Sequence, residues 1–258
     1  MPSLRILSWN VNGLRAIYKK GFLDWLLREN PDILCVQETK SRADQVPSEL
    51  KSIPGYNSYF TSGDRAGYGG VGLFTKEEPK AVGYSLGISG LDDEKRAIVA
   101  DYGDLLLFDV YFPNGKASEE RLRYKLRFYD LFLDELDRLK GEGKRMVICG
   151  DFNTAHHEID IARPKQNERV SGFLPVERAW MDRLEEHGFV DTFRIFHPEA
   201  GQYSWWDLKT RARERNVGWR IDYFFVSENL KKKVESAFIL REVTGADHCP
   251  VGIELDRD

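Results

Sequence analysis

Short apolar runs alternate with amphipathic stretches along the whole chain. The apolar runs are rich in aliphatic and aromatic residues and are bounded by Gly, Pro, Asn or Asp, a pattern that predicts β-strands. The predicted strands are Leu4–Trp9, Asp32–Gln37, Gly70–Thr75, Leu105–Tyr111, Met146–Cys149, Ile221–Val226 and Val251–Leu255. Two of them, Asp32–Gln37 and Met146–Cys149, are apolar almost throughout, which is typical of strands buried on both faces.

The stretches between these runs predict helices. Gly21–Glu29 is expected to end before Asn30, because Pro31 disfavours a helical conformation in the residue that precedes it. A longer helix begins after Ser118, which is a suitable N-cap. Its apolar stripe follows a 4-3-4-3 spacing and must face a core; the stripe consists of Leu122, Leu126, Tyr129, Leu133 and Leu136.

A third helix, Glu177–His187, is expected to carry Val176, Trp180 and Leu184 on one face and to stop at Gly188. Strands and helices mixed in this order predict a layered α/β or α+β domain. No repeat, low-complexity segment or linker divides the chain. We therefore expect residues 1–258 to form a single domain.

Composition adds constraints on compartment and partners. The 258 residues include 38 Lys and Arg against 42 Asp and Glu, a formal net charge of -4 that argues weakly against a polyanionic partner. The three cysteines, Cys35, Cys149 and Cys249, are an odd number, which favours a reducing, cytoplasmic compartment over a disulfide framework. We expect no signal peptide and no membrane span, because the longest apolar stretch, Leu105–Phe112, is short and contains Asp109.

Polar residues of unusual type occur at the ends of the predicted strands. They are Asn10, Asn12, Glu38, Tyr111, Asn114, Asp151, Asn153, Asp222, Asp247 and His248. Each one alone is explained better by a turn or a helix N-cap than by catalysis. Together they are carboxylates, carboxamides, a phenol and an imidazole next to rigid strands, which is where catalytic groups are often carried.

These residue types suit one metal in particular. Oxygen ligands from Glu, Asp and Asn suit Mg²⁺, which is usually held by one or two carboxylates together with substrate phosphate. No Cys/His spacing for a structural zinc is present, and His156 and His157 lack the frame of a zinc hydrolase. His248 is either a core histidine or a base or phosphate contact that a distant carboxylate orients. No glycine-rich phosphate loop or GxSxG motif is present, which argues against a serine hydrolase.

Six segments carry a family resemblance, in order and across residues 5–255. They are SWNVNGLRA, DILCVQETK, YFPNGK, CGDFNTAHHEID, NVGWRIDYFFV and GADHCP. Together they resemble the exonuclease III family of apurinic/apyrimidinic endonucleases, within the wider endonuclease/exonuclease/phosphatase superfamily. The segments SGFLPVER and RARERNVGWRIDY point to its DNA-repair branch. Asn12 stands where some relatives carry Asp, and GADH stands where GSDH is common.

The resemblance implies a deoxyribonuclease I-like, four-layer α/β sandwich with two mixed β-sheets face to face and helices outside. It implies hydrolysis of the DNA backbone 5′ to an abasic site, which leaves a 3′-hydroxyl, with Mg²⁺ as cofactor and Mn²⁺ as a substitute. It also implies 3′→5′ exonuclease or 3′-phosphodiesterase activity. The expected partner is double-stranded DNA with abasic sites or damaged 3′ ends. We expect a cytoplasmic monomer, associated with the nucleoid in a prokaryote.

The resemblance also implies roles for the strand-end residues. Glu38 and Asn10 match the main metal site, and Asp247 matches a further ligand or phosphate contact. Asp151 matches the residue that activates water or manages its proton. Asn153 matches an orienting residue that stabilises the transition state, and both it and Asp151 lie close to the metal in the family.

Three further groups match the phosphate side of the family's site. His248 matches a phosphate-contacting imidazole that is paired with a carboxylate, here Asp222, while Tyr111 and Asn114 match other phosphate contacts. Whether Asp151 or His248 is the main general base stays open at this point, as does the number of metal ions.

Two stretches of clustered cations, Gly115–Arg127 and Asp207–Arg220, are candidates for DNA contact. Such runs are usually solvated faces, but tryptophans flank the second, and rings can meet sugars and bases while cations bind phosphates. The substrate-binding residues that the resemblance implies are Asn12, Asn114, Lys116, Asn167, Trp205, Lys209, Arg211, Trp219 and Ile221. Trp205, Trp219 and Ile221 match the family's abasic-sugar pocket, with ordinary core packing as the alternative.

Two other functions remain as alternatives. One is a phosphatase or RNA nuclease of the same superfamily, which the segments WRIDYFF and RARERNVGW disfavour. The other is a catalytically silent DNA-binding module, which has no need of an intact set of Glu38, Asp151, Asn153, Asp222 and His248.

Overall fold

The computed structural model describes residues 3–61, 67–88, 91 and 94–257. Its strands are β1 (Leu4–Asn10), β2 (Ile33–Gln37), β3 (Asn57–Phe60), β4 (Val71–Thr75), β5 (Ala81–Gly83), β6 (Ala97–Asp101), β7 (Leu105–Tyr111), β8 (Arg145–Asp151), β9 (Phe189–Asp191), β10 (Trp205–Trp206), β11 (Gly218–Trp219), β12 (Asp222–Ser227), β13 (Val234–Ile239) and β14 (Val251–Leu255). Its helices are α1 (Leu14–Tyr18), α2 (Phe22–Glu29), α3 (Ser48–Lys51), α4 (Glu119–Gly141), α5 (Pro164–Asn167), α6 (Pro175–Glu186) and α7 (Thr192–Phe196).

Two six-stranded sheets form the centre of the fold. Their strand orders are β13-β14-β1-β2-β4-β3 and β5-β6-β7-β8-β12-β9. In each sheet two central strands are parallel, β1 with β2 and β7 with β8, while the other neighbours are antiparallel. Helices α1 and α2 link the first parallel pair and α4 links the second, as parallel neighbours require a crossover connection. Strands β10 and β11 form a separate two-stranded ribbon.

Alternation along the central strands places apolar side chains on both faces of each sheet. In β1, Ile6 lies between the two sheets, while Leu7 and Trp9 pack with the residues of α1 and α2. In β8, Cys149 lies between the sheets and Ile148 packs beneath α4 and α6. The layers therefore run helices, sheet, sheet, helices, which confirms the predicted deoxyribonuclease I-like sandwich.

All seven predicted strands are present, with ends that differ by a few residues. Met146–Cys149 extends to Arg145–Asp151, and Ile221 precedes β12 instead of starting it. The pattern missed β3, β5, β6, β9, β10, β11 and β13, five of which are four residues long or shorter. Such short strands carry too few residues for an apolar periodicity to show.

The long helix α4 follows its prediction. The Ser118 hydroxyl accepts a hydrogen bond from the backbone N–H of Arg121 at 3.1 Å, which caps the helix. Tyr129, Leu133 and Leu136 are buried against the second sheet. Leu126 is partly buried against the same core, whereas Leu122 is half-buried outside it. The stripe therefore faces the core as predicted, except at its first residue.

The prediction for α6 is correct except at one residue. The helix begins two residues earlier than expected, at Pro175, and Gly188 follows its end with a φ of 85°. Val176, however, is 49% exposed, because the buried face includes Met181 beside Trp180 and Leu184 and so turns away from position 176.

The described helices and the three cysteines have the following properties. None of the helices in residues 3–61, 67–88, 91 and 94–257 is long and apolar enough to cross a membrane. Cys35, Cys149 and Cys249 are all buried free thiols. They pack as small apolar residues, as interior cysteines commonly do.

Candidate active site

The carboxyl ends of the two parallel strand pairs meet at one edge of the sandwich. Asn10 ends β1, Glu38 follows β2, and Asp151 ends β8. The Asn10 amide nitrogen donates to Glu38 Oε1 and to Asp151 Oδ2, both at 2.9 Å, so it bridges the two sheets. Tyr111 lies opposite Asp151 in the register of β7 and β8. These four residues thus converge because parallel strands present their carboxyl ends together. Asp222 reaches the same edge from the start of β12, which is antiparallel to β8 and places Asp222 opposite Asp151.

Glu38 is held as a carboxylate by a neighbouring cation. It adopts a left-handed backbone conformation, and its Oε2 lies 2.7 Å from Lys40 Nζ. Burial raises the pKa of Glu38. The ammonium of Lys40, the amide of Asn10 and His248 together lower it by a larger amount, so the pKa of Glu38 lies below its usual value. The sequence analysis missed Lys40, although its place two residues after Glu38 was the available signal.

Asp151 is almost fully buried in the centre of the cluster. Its Oδ1 accepts a hydrogen bond from the backbone N–H of Asn153 at 2.8 Å, and its Oδ2 accepts from the Asn153 amide at 3.1 Å. Burial raises its pKa and His248 lowers it, while the nearby carboxylates of Asp222 and Glu38 raise it again, to about 7. A carboxyl group with such a pKa is suited to exchange a proton near neutral pH.

His248 lies between two carboxylates. Its Nδ1 is 2.8 Å from Asp222 Oδ2 and its Nε2 is 3.9 Å from Asp151 Oδ2. Burial lowers its pKa, but Asp222 first, and then Asp151 and Asp247, raise it to about 10. The ring is therefore an imidazolium at neutral pH.

Asp222 is itself oriented by a residue that the sequence analysis did not identify. The hydroxyl of Ser204 donates to Asp222 Oδ2 at 2.6 Å. The other oxygen, Oδ1, is buried and has no hydrogen-bond partner among the described residues. This carboxylate therefore directs its charge mainly to His248.

A chain of amides lies on the side of the cluster facing β7. The Asn114 amide donates to Asn153 Oδ1 at 2.9 Å, and Asn114 Oδ1 accepts from the backbone N–H of Lys116 at 2.8 Å. Tyr111 packs under the guanidinium of the buried Arg96, which lies 4.8 Å from the ring centre. Burial, Glu38 and Asp151 raise the pKa of Tyr111, so its hydroxyl keeps its proton as a hydrogen-bond donor.

Asp247 joins the carboxylate cluster to an aromatic wall. Its Oδ1 accepts from the Asn12 amide at 2.8 Å, and its Oδ2 accepts from Trp205 Nε1 at 3.1 Å. Burial raises the pKa of Asp247, but His248, Asn12 and Trp205 lower it below its usual value. Asn12 also accepts a hydrogen bond from Lys40.

A cavity of about 250 Å³ opens between the charged cluster and this aromatic wall. Trp205 and Trp219 meet edge to face with ring centres 6.0 Å apart, and both pack against the small apolar group around Ile221. This cavity, termed the site cavity below, is lined by Glu38, Tyr111, Asn114, Lys116, Asp151, Asn153, Val170, Ser171, Gly172, Trp205, Trp219, Ile221, Asp247 and His248. One end is ionic and the other apolar.

The predicted metal residue Asn10 and four predicted substrate contacts, Asn12, Asn167, Lys209 and Arg211, lie outside this lining. Asn10 and Asn12 support it from beneath through the hydrogen bonds given above. The Asn167 amide donates to the backbone oxygen of Arg163 and so closes its own short helix, α5. Lys209 and Arg211 are exposed in the loop that follows β10.

The two basic stretches are not uniform surfaces. Lys125, in the first stretch, is fully buried and pairs with Glu177 at 2.7 Å. Arg220, in the second, is 1% exposed and pairs with Asp160 and Asp191. The expectation that these two cations belong to a solvated or DNA-contacting face is therefore wrong, because each compensates buried carboxylates.

The donor set of the cluster fits a hard divalent cation. Glu38 and Asp151 each offer a carboxylate oxygen within 4.8 Å of the other. His248 lies within the same distance, but its protonated ring has no free electron pair for a metal. With Asp222 and Asp247 included, four carboxylates face two cations, Lys40 and the imidazolium. Such an excess of negative charge, carried by oxygen atoms, suits a divalent metal.

Comparison with known proteins agrees with this site. A family model described as the endonuclease/exonuclease/phosphatase family matches residues 7–248. The chain belongs to this family and is a hydrolase. Together with the acidic cluster, the family membership makes it a metal-dependent enzyme.

Individual relatives narrow the class. The chain is 42% identical over 255 residues to the exodeoxyribonuclease of Bacillus subtilis, a match that covers 98% of this chain and all of that protein. It is 40% identical over 259 residues to the DNA repair nuclease APEX1 of Danio rerio, covering 98% and 82%. A solved AP endonuclease from Archaeoglobus fulgidus superposes with a TM-score of 0.89 at 31% identity, covering 98% and 99%.

A second solved structure extends the comparison to 3′ ends. The 3′ phosphatase NExo from Neisseria, bound to product DNA hairpin, superposes with a TM-score of 0.89 at 27% identity, covering 98% of this chain and 99% of that one. The exonuclease III-type resemblance is therefore confirmed.

Proposed function

We propose that this protein is a DNA-repair endonuclease that hydrolyses the phosphodiester 5′ to an abasic site and leaves a 3′-hydroxyl. The observation that carries this proposal is the two-ended site cavity, in which carboxylates and an imidazolium face an apolar wall of two tryptophans. The charged end suits a phosphodiester and the apolar end a sugar without its base. The relatives named as exodeoxyribonuclease, AP endonuclease and DNA repair nuclease support it.

Hydrolysis of an anionic phosphodiester needs positive charge and hydrogen-bond donors beside the scissile phosphate, and this chain supplies part of them. The imidazolium of His248 donates to a non-bridging oxygen through Nε2, while Nδ1 stays bound to Asp222 at 2.8 Å. The Tyr111 hydroxyl and the Asn114 amide are further donors at the cavity wall. Glu38 and Asn10, with Asp247 nearby, would hold a metal ion, which would supply Lewis-acid stabilisation of the developing charge.

Asp151 is our choice for the group that takes the proton from the attacking water. Its pKa of about 7 allows the carboxylate to be present and basic near neutral pH. His248 is a poorer base, because Asp222 keeps it protonated. Asn153, which bonds Asp151 through both its backbone and its amide, holds the water in line.

The apolar end of the site cavity selects for the lesion. Trp205, Trp219 and Ile221 surround a space of about 250 Å³ shared with the phosphate end. An extruded sugar without a base meets only apolar surface there, whereas a base-bearing nucleotide needs additional room. This excludes undamaged nucleotides by size.

The cofactor and partners follow from the same chemistry. Mg²⁺ matches the oxygen-rich donor set, and Mn²⁺ takes the same ligands. The exposed cations Lys116, Lys209 and Arg211 contact the phosphates of double-stranded DNA on either side of the lesion. We propose that the protein acts as a monomeric, single-domain, cytoplasmic enzyme, on nucleoid DNA in a prokaryote, and that it also processes damaged 3′ ends.

One experiment tests the proposal directly. A duplex with a single tetrahydrofuran abasic analogue, labelled at one 5′ end, is incubated with the protein and Mg²⁺, Mn²⁺ or EDTA, and the product ends are mapped. We expect a metal-dependent nick 5′ to the lesion with a 3′-hydroxyl. Parallel duplexes with a 3′-phosphate or an undamaged 3′ end measure end processing. Absence of a nick at the lesion with either metal would falsify the proposal.

A further inference from the structure

Lys125 is a buried cation that no step of the proposed reaction uses. Its ammonium group is completely enclosed and makes three hydrogen bonds: to the backbone oxygen of Asn153 at 2.8 Å, to Thr154 Oγ1 at 2.8 Å and to Glu177 Oε1 at 2.7 Å. Two of these partners belong to the loop that carries Asn153. A buried ammonium with all three protons donated fixes the groups that accept them, because a lost partner leaves an unpaired charge.

Glu177 extends the same contact to the other wall of the site cavity. Its Oε2 accepts the backbone N–H groups of Gly172 at 2.6 Å and Leu174 at 3.1 Å, and its Oε1 accepts the Ser171 hydroxyl at 2.8 Å. The residues bound here belong to the segment SGFLPVER, and Ser171 and Gly172 line the site cavity. One carboxylate therefore organises the whole turn before α6.

The bound turn fits tightly between the two ends of the cavity. Gly172 has a φ of 99°, and a Cβ atom at this position would lie 3.0 Å from the Trp219 ring and 3.2 Å from the Asn153 backbone oxygen. The turn therefore lies between Asn153, which is proposed to hold the water, and the Trp219 ring, which is proposed to contact the sugar. A shift of this turn moves one wall relative to the other.

We propose that Lys125 and Glu177 form a positioning pair that sets the distance between Asn153 and the tryptophan wall. This inference rests on the proposed function of the site cavity. The pair connects α4 and α6 to both loops and makes no contact with substrate itself. Its effect is on the alignment of water, phosphate and sugar, and misalignment of about 1 Å lowers the rate of a reaction by roughly a hundredfold.

The deciding variant removes both charges together. In Lys125→Met/Glu177→Gln neither side chain is left as an unpaired buried ion. We expect the double variant to fold with a Tm lowered by about 10 °C, because several buried groups lose a hydrogen-bond partner although no buried ion is left unpaired. Its kcat is therefore assayed well below that Tm. On the abasic duplex, kcat should fall by about tenfold to a hundredfold while KM changes by less than about threefold, because alignment and not binding is lost.

Two further variants serve as controls, one for the loss of an ion pair between α4 and α6 and one for the loss of charge at position 125. Asp130→Asn removes a surface ion pair between the same two helices, Asp130 with Arg183 at 2.8 Å, and should leave kcat unchanged. Lys125→Arg keeps the charge beside Glu177, but a planar guanidinium cannot place its donors as the ammonium does. We expect it to fold with a Tm lowered by several degrees, because the larger side chain overpacks an enclosed site, and to lose about tenfold in kcat when assayed well below that Tm.

The outcomes separate the two proposals. A wild type without lesion-directed cleavage overturns the proposed function and this inference with it. An active wild type together with a folded double variant whose kcat lies within threefold of it overturns the positioning pair alone. If the double variant does not fold, a Lys125→Arg variant with full kcat has the same consequence.

Discussion

Arg220 and Asp222 are two residues apart but belong to different buried charge clusters. One has equal numbers of carboxylates and cations, and the other has more carboxylates than cations. Arg220 donates to Asp160 at 2.7 Å and to Asp191 at 2.6 Å, and Arg194 also pairs with Asp160. In this paired cluster two carboxylates meet two guanidinium groups. Asp222 belongs to the candidate-site cluster, defined here as Glu38, Lys40, Asp151, Asp222, Asp247 and His248, in which four carboxylates meet two cations.

The pKa values record this difference. Burial raises the pKa of Asp160, but Arg220 and Arg194 lower it far more, so it lies well below its usual value. Burial, Asp222 and Glu38 raise the pKa of Asp151 to about 7 in spite of His248. The paired cluster balances its buried carboxylates with guanidinium groups, whereas the site cluster keeps negative charge uncompensated. Uncompensated buried charge is retained where it has a use.

The largest difference between the two clusters should appear when one Asp in each is replaced by Asn and kcat and stability are measured. Asp151→Asn removes the proposed proton acceptor, and we expect kcat on the abasic duplex to fall by at least about 10³-fold. Because the pKa of Asp151 is raised, its ionised form at pH 8 destabilises the fold. The substitution removes this cost but also loses hydrogen bonds. The two effects offset each other, so the free energy of unfolding at pH 8 should change by less than about 1 kcal/mol. Cleavage within tenfold of the wild type would show that another group takes the proton. Duplex binding should persist.

The matched substitution Asp160→Asn should have the reverse effect. It leaves Arg220 and Arg194 with one carboxylate between them, and we expect a loss of about 3–5 kcal/mol in the free energy of unfolding, measured with urea at neutral pH. The kcat of the folded fraction, assayed well below its Tm, should stay within about threefold of the wild type. A stability loss below about 1 kcal/mol would mean that the paired cluster is not a stability element.

A third substitution examines the imidazole of the site. Asp222→Asn removes the strongest influence that raises the pKa of His248 to about 10. The alkaline limb of the kcat/KM profile should then move to lower pH, with a rate loss of about 10²-fold at pH 8. Asp160→Asn is the control and should leave this limb in place. An unmoved limb in Asp222→Asn would remove His248 from the proposed phosphate contacts.

The pH dependence of stability gives a smaller effect. Because the pKa of Asp160 is depressed in the folded state, its contribution is present above the unfolded-state value of about 3.9 and is lost as the pH falls through the folded value. Between pH 7 and pH 2, the wild type should lose about 2–3 kcal/mol more unfolding free energy than Asp160→Asn. If unfolding free energy falls with pH to the same extent in both proteins, the depressed pKa of Asp160 in the folded state is contradicted.

The smallest expected effect concerns selectivity. Trp219→Ala widens the apolar end of the site cavity and removes no charged group. We expect kcat/KM on the abasic duplex to fall by about tenfold more than the affinity for undamaged duplex, measured by fluorescence anisotropy. Equal losses of both would favour the core-packing interpretation of this residue.

Local pattern was sufficient for much of the fold. Strands such as Asp32–Gln37 and Met146–Cys149 are recognisable because a strand buried on two faces is apolar at every position. The stripe of α4 is recognisable because 3.6 residues make a turn. The short strands β10 and β11 were missed, although they carry Trp205 and Trp219, since two residues show no period.

The sequence by itself determined which polar residues end the strands, and residue types at those ends indicated an oxygen-rich metal and phosphate site. It also determined a net charge of -4, which by itself argues weakly against a polyanionic partner such as DNA. Only the tertiary structure decided how that charge is distributed. It brought carboxylates from both sheets to one edge, and it buried Lys125 against Glu177, 52 residues away. Charge compensation depends on distance in space, and spacing along the chain does not report it.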